Sequence, residues 1–202
     1  MGQIPLPFST DMASDDFIVT PCNQDVASML HNWQHWPYRS AVIKGPEKSG
    51  KTVMGRVFAH MASGIFVDNL DQHDEAEIFH KWNRAQQEGQ PILLSLSGDG
   101  DLNNIDLPDL KSRLNASQAI AISAPDEAMM TALFEKLCHQ SGLNVNARIT
   151  DYIKTRCERS YVAVVTLVAQ LNHWALANKK PIGIKAISEI LDANPFHEEE
   201  TL

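Results

Sequence analysis

Short apolar runs alternate with helix-period patterns through the first two thirds of the chain. Ala41-Val42-Ile43-Lys44, Ile65-Phe66-Val67-Asp68, Pro91 to Leu96 and Ala119-Ile120-Ala121-Ile122 are too short for helices and read as buried strands. Between them the period changes. Val53, Val57, Phe58 and Met61 share one side of a helix from Lys51 to about Met61, and Ile78, Phe79 and Trp82 form the stripe of another over 74–88. Val26, Met29, Leu30 and Trp33 predict a helix over 23–33. Strands apolar throughout, each followed by a helix, indicate an α/β fold with a short parallel sheet between helices. From Pro125 onward the pattern is helical only, at about 125–141, 146–157, 160–178 and 184–192, with breaks at Gly142 and Pro181. A small all-helical lid is therefore expected after the α/β part.

Composition narrows the function classes. Lys and Arg total 17 against 25 Asp and Glu, a formal charge of −8, which argues against DNA phosphates as the principal partner. Cys22, Cys138 and Cys157 are scattered and odd in number, the usage of reduced thiols in a cytoplasmic protein. Nothing approaches the ~20 apolar residues of a membrane span, and Met1 to Thr10 lacks the basic and apolar regions of a signal peptide. His31 and His35 stand at i, i+4 spacing, but no further cluster supports a metal site there.

The most informative stretch is Gly45-Pro46-Glu47-Lys48-Ser49-Gly50-Lys51-Thr52, a complete G-x-x-x-x-G-K-T between a strand and a helix. Glycines let backbone N–H groups curl around a phosphate, and the helix behind them presents its positive end. Lys51 is placed to reach β- and γ-phosphates, and Thr52 to ligate Mg²⁺. The expected cofactor is ADP or ATP with Mg²⁺. A carboxylate at a neighbouring strand end is needed on the metal side, and Asp68 fits, although a strand-terminal turn would also favour Asp. Asn69 follows it. A neutral amide cannot accept a proton, so rapid autonomous hydrolysis is not expected. The interval from Thr52 to Asp68 leaves no room for the strand–helix pair that most AAA+ domains insert there, so a resemblance to the AAA+ winding implies that Ile65-Phe66-Val67 is a sheet edge and that the spatial order is 4-1-3-2. An open edge implies either a homodimer through this strand or a loop folded across it.

Several segments resemble the DnaA-related AAA+ family. Phe17-Ile18-Val19-Thr20-Pro21-Cys22-Asn23 is similar to the segment that opens its nucleotide domain, where the counterparts of Ile18 and Val19 contact adenine. Leu107-Pro108-Asp109-Leu110-Lys111-Ser112-Arg113-Leu114 resembles the box carrying the arginine finger, so Arg113 is expected to act in trans, with helix capping or a pair with Asp109 as the alternative. Ser97, after the third strand, falls at the sensor-1 position. The sensor-2 arginine position holds Val162, with Arg159 three residues earlier. The similarity runs from 17 to 192, and nothing resembling DnaA's C-terminal DNA-binding domain follows, so direct sequence-specific DNA binding is not expected. In front of the body, Gln3-Ile4-Pro5-Leu6-Pro7-Phe8 resembles a sliding-clamp-binding peptide, with Gln3, Leu6 and Phe8 as its anchors and a tether spanning roughly 15 Å behind it. An AAA+ body with that peptide resembles the Hda-like regulatory inactivators of DnaA. The resemblance implies a clamp-binding peptide and tether at 1–16, a nucleotide-binding domain at 17–124 and a lid with an acidic tail at 125–202. It also implies clamp and DnaA as partners, with no membrane. An independent AAA+ ATPase, such as a helicase-loader-like protein, is the alternative reading, and an adaptor with a degenerate phosphate loop is a third.

Overall fold

The computed structural model describes residues 17–98 and 100–193. The chain divides into two compact units, one ending at Ser123 and the other beginning at Ala124.

The first unit is built on four parallel strands: β1 (Ser40–Lys44), β2 (Ile65–Val67), β3 (Ile92–Ser95) and β4 (Gln118–Ala121). Their spatial order is β2-β3-β1-β4, the expected 4-1-3-2 read from the other edge. β1 and β3 are central, and Ala41, Val42, Ile43, Ile92, Leu93 and Leu94 are all buried, which is why these strands lack the alternation of a half-exposed sheet. One helix, α2 (Lys51–Ala62), connects β1 directly to β2, so among the described residues β2 is an edge strand, as expected.

α3 (Glu75–Glu88) and α4 (Pro108–Ala116) share a core with the sheet through Ile78, Trp82, Ala85, Leu110 and Leu114 against Val42, Val67, Ile92 and Leu94. Asp74 caps α3 by accepting from the Glu77 N–H, and Gly89 closes it in the left-handed region at φ 65°. α4 was not evident in the hydrophobic pattern. Only Leu110 and Leu114 of its nine residues are buried, too few to show a period. Its entry is fixed from outside: both carboxylate oxygens of Glu75 accept backbone N–H groups, of Asp106 at 3.0 Å and Leu107 at 2.6 Å. α1 (Gln24–His31) precedes the sheet, and Trp36 beyond it stacks on Phe58 of α2 with ring centroids 5.0 Å apart.

The second unit contains α5 (Glu127–Gln140), α6 (Ala147–Arg156), α7 (Tyr161–Asn178) and α8 (Ile184–Asp192), each within two residues of the helix the pattern predicts. Asp126, Asn146 and Ser160 cap the first three by accepting the N–H of Met129, Ile149 and Ala163. Phe134, Cys138, Ile153, Val164, Leu167, Leu171 and Ile187 fill the core. Burial pushes the Cys138 and Cys157 thiols up to about 11, with Glu135 and Glu158 adding to the shift. No described helix is long and apolar enough to cross a membrane.

Candidate nucleotide-binding site

The loop between β1 and α2 has the shape its sequence requires. A Cβ on Gly45 would stand 2.7 Å from the Cβ of Ile122 and 3.0 Å from its carbonyl oxygen, so only glycine lets β1 leave the sheet this close to the end of β4. Gly50 is needed for a different reason. It has open space around it but φ +90°, where an L side chain is strained, and it forms the N-cap of α2. α2 has no side-chain cap hydrogen bond, so its first N–H groups face the loop.

Glu47 through Val53, with Asn69, Gln72, Ser97 and Gly98, line a cleft of about 570 Å³. Lys51 is buried. Its Nζ donates to the carbonyl oxygens of Gly45 at 2.5 Å, Pro46 at 3.0 Å and Gly98 at 3.3 Å. Thr52 Oγ1 donates to Asp68 Oδ2 at 2.8 Å, which brings together the two residues expected to hold Mg²⁺. Residues of this chemistry fit a nucleotide. The α2 N-terminus and Lys51 would hold phosphate oxygens, and Thr52 with Asp68 would hold a hard divalent cation, which supplies charge neutralisation between phosphates.

Two side chains of this site escape a reading by motif. Ser95, fully buried at the end of β3, donates to Asp68 Oδ1 at 2.7 Å and accepts the Asn69 N–H at 2.8 Å. It therefore orients the carboxylate on the side that Thr52 does not. The signal available in the sequence was a lone hydroxyl in the apolar run Ile92-Leu93-Leu94-Ser95-Leu96. Asp71 is the second. It accepts hydrogen bonds from the Ser97 hydroxyl and from the Ser97 N–H, the latter at 2.8 Å. Partial burial works to raise its pKa, but the two Ser97 hydrogen bonds and the nearby Lys51 charge outweigh it, leaving the group below the usual carboxylate value. Ser97 is thus in the cleft wall, with its hydroxyl engaged by Asp71. Asn69 also faces the cleft, at φ +49°, a left-handed conformation that Asn tolerates better than most residues.

Ile18 and Val19 are not among the residues lining the cleft. Their segment is pinned by buried Asn23, which donates to the Ile18 carbonyl oxygen and accepts the Thr20 N–H, both at 2.8 Å. Val162 is partly buried in the first turn of α7, and exposed Arg159 lies just before its cap. Gln3, Leu6 and Phe8 lie outside the described residues.

Arg113 stands at the other end of the sheet. Ser117, at the end of α4, donates to the Arg113 carbonyl oxygen at 2.9 Å and accepts from the Ser40 hydroxyl, 2.8 Å away at the first residue of β1. The phosphate loop begins after the last residue of β1. Five strand residues span about 17 Å, beyond the reach of an arginine side chain. Arg113 and Lys51 therefore belong to opposite ends of one strand.

Comparisons with known proteins bear on the fold. Neither a protein-family model nor a curated protein sequence matches the chain. Among solved structures, domain III of the Thermotoga maritima replication initiation protein DnaA superposes with a TM-score of 0.70 at 14% identity, over 93% of this chain and 98% of that one. The fold is that of DnaA domain III. AMPPCP-bound DnaA from Aquifex aeolicus matches with a TM-score of 0.59 at 14% identity, covering 86% of this chain and 66% of that one. The P216G mutant of Thermotoga maritima RuvB gives 0.61 at 10% identity, covering 90% and 72%. At such identities the likeness establishes architecture, and function has to be argued from the site.

Proposed function

We propose that this chain is a nucleotide-binding regulator of replication initiation that docks on the sliding clamp and promotes ATP hydrolysis on DnaA. The observation that carries this reading is the division of labour along β1. One end holds a full phosphate and cation set, Lys51, Thr52 and Asp68, with an amide, Asn69, in place of a base. The other end holds an arginine too far away to serve that set. A chain arranged so binds ADP or ATP with Mg²⁺, turns it over slowly and lends Arg113 to nucleotide held by another protein. Asp71 does not restore a base. Its lowered pKa and its hydrogen bonds to Ser97 make it a weak proton acceptor. Residues 1–16 are the clamp-binding peptide and tether in this reading, 17–124 the nucleotide domain and 125–202 the lid, and the protein is cytoplasmic.

A reconstitution tests it. Clamp loaded on DNA, DnaA carrying labelled ATP and this chain are combined, and ADP formed on DnaA is measured. Arg113→Ala should keep its fold and its own nucleotide but lose stimulation, by on the order of 10³-fold or more, the scale of other arginine fingers. Leu6→Ala with Phe8→Ala should abolish clamp pull-down with an unchanged thermal melt, since it removes the two apolar anchors. A wild-type chain without effect on DnaA overturns the regulator. Rapid hydrolysis by the isolated chain would put the independent ATPase in its place.

A further inference from the structure

Arg113 is held in an unusual way. Its Cζ lies 4.4 Å from the centroid of the Phe79 ring and 4.8 Å from that of Trp82. Among the described residues its side chain makes no ion pair and donates no hydrogen bond, and Asp109 does not pair with it. The seat itself is fixed. The Trp82 indole N–H donates to Ser40 Oγ at 3.0 Å, and Ser117 joins the same hydroxyl to the Arg113 backbone. Phe79 packs against the core of the first unit. Next to the seat Tyr38 is 61% exposed, with its ring centroid 6.1 Å from that of Trp82. Tyr38 and Arg39 are both held in the left-handed region, at φ +52° and +47°, and Arg39 Nη1 donates to the Gly89 carbonyl oxygen.

We infer that Phe79 and Trp82 are positioning residues for Arg113, an aromatic seat that presents its guanidinium to a phosphoryl group carried by another molecule. This deepens the trans-acting reading above and rests on it. The physical reason lies in what a ring contact spends. An arginine paired with a carboxylate has its fork of N–H donors occupied and must break the pair before it meets a phosphate. Contact with ring faces restrains the same group through the quadrupole of the rings. The five N–H donors stay available, and the ordering of a long, rotamer-rich side chain is completed before the partner arrives. The surface around the arginine then matches a nucleotide phosphate on a folded partner: one oriented cation with an aromatic rim at Tyr38.

Phe79→Leu and Phe79→Tyr separate this role from packing. Leucine keeps an apolar side chain against the core but removes the π face, whereas tyrosine keeps both. In the reconstituted reaction Phe79→Leu should lower maximal stimulated hydrolysis on DnaA about 3–30-fold, the range set by one cation–π contact. The concentration for half-maximal effect and the thermal shift given by the chain's own nucleotide should not move. Phe79→Tyr should match wild type. A second readout needs no partner. In the free protein the Arg113 side-chain protons should be displaced upfield by ring currents in wild type and Phe79→Tyr, and return toward ordinary positions in Phe79→Leu. Full activity of Phe79→Leu, a change confined to the half-maximal concentration, or unshifted Arg113 protons in wild type would each overturn the seat. Ring-current shifts as expected, with a wild-type chain inert on DnaA, would overturn the regulator and with it the partner nucleotide as the ligand. Arg113-dependent retention of DNA with unchanged DnaA hydrolysis would assign the seat to nucleic-acid phosphates and overturn this assignment.

Discussion

Lys51 and Arg113 sit at opposite ends of β1, and the protein holds them in opposite ways. Lys51 is buried and spends its donors on carbonyl oxygens of Gly45, Pro46 and Gly98, within its own loop and the facing turn. Arg113 is held by the rings of Phe79 and Trp82 and by no described acceptor. A lysine is a compact charge that can exchange weak carbonyl contacts for a phosphate inside a preformed loop. An arginine meant for another molecule's phosphate gains from restraint that leaves its donors unspent. The comparison separates the phosphate loop from an arginine that, in the proposed function, serves a nucleotide elsewhere, and the separation follows from strand length.

Substitution at each end should break one function and spare the other. Beyond the Arg113→Ala loss on DnaA, the next largest effect is at Lys51. A ligand at 100 times its Kd stabilises the folded state by about 2.7 kcal/mol, so ADP or ATP with Mg²⁺ should raise the wild-type Tm by several degrees. Lys51→Ala should lose that shift, and Arg113→Ala should retain it. Loss of the shift in both variants would mean that the two ends are not independent.

Ser95→Ala asks how much the nucleotide end owes to a buried hydroxyl. Without it, Asp68 Oδ1 and the Asn69 N–H lose a partner in a partly buried site, at a cost of about 1 kcal/mol. Chemical denaturation should show that loss, and cation-dependent nucleotide affinity should fall with it because Asp68 is no longer oriented from both sides. A variant with wild-type stability and affinity would remove Ser95 from the site.

At neutral pH the smallest effect lies in the helical unit, which serves as a control because neither cation is there. Cys138 and Cys157 titrate at about 11 in the folded protein, against an ordinary value of 9.0. Between those values the unfolded chain has released thiol protons that the folded chain retains. Stability is therefore unaffected below about pH 8 and falls as pH rises from 9 toward 11. Cys138→Ala with Cys157→Ala should flatten this alkaline limb. An unchanged slope would show that other groups carry it.

Much of this molecule is legible in order along the chain. The apolar runs of the sheet, the extents of α2, α3 and the last four helices, and the phosphate loop depend on spacings of a few residues, which a linear reading can measure, although α2 buries Met54 with Phe58 and leaves Met61 of its expected stripe exposed. The four-strand order followed from the resemblance to the AAA+ winding, with the short interval between Thr52 and Asp68 leaving out one strand. The sequence by itself therefore determined the α/β architecture, the helical second unit and the Lys51 and Thr52 end of the site. Only tertiary structure decided the rest. Ser95 meets Asp68, Ser97 meets Asp71, and Arg113 meets Phe79 and Trp82 because parallel strands return through crossover helices, which brings together residues far apart in the chain. A side chain's partner is not encoded in its own neighbourhood when that partner arrives on another element. For this reason Arg113 was legible as a finger candidate by its local box, while its aromatic seat required the packing of α3 against α4.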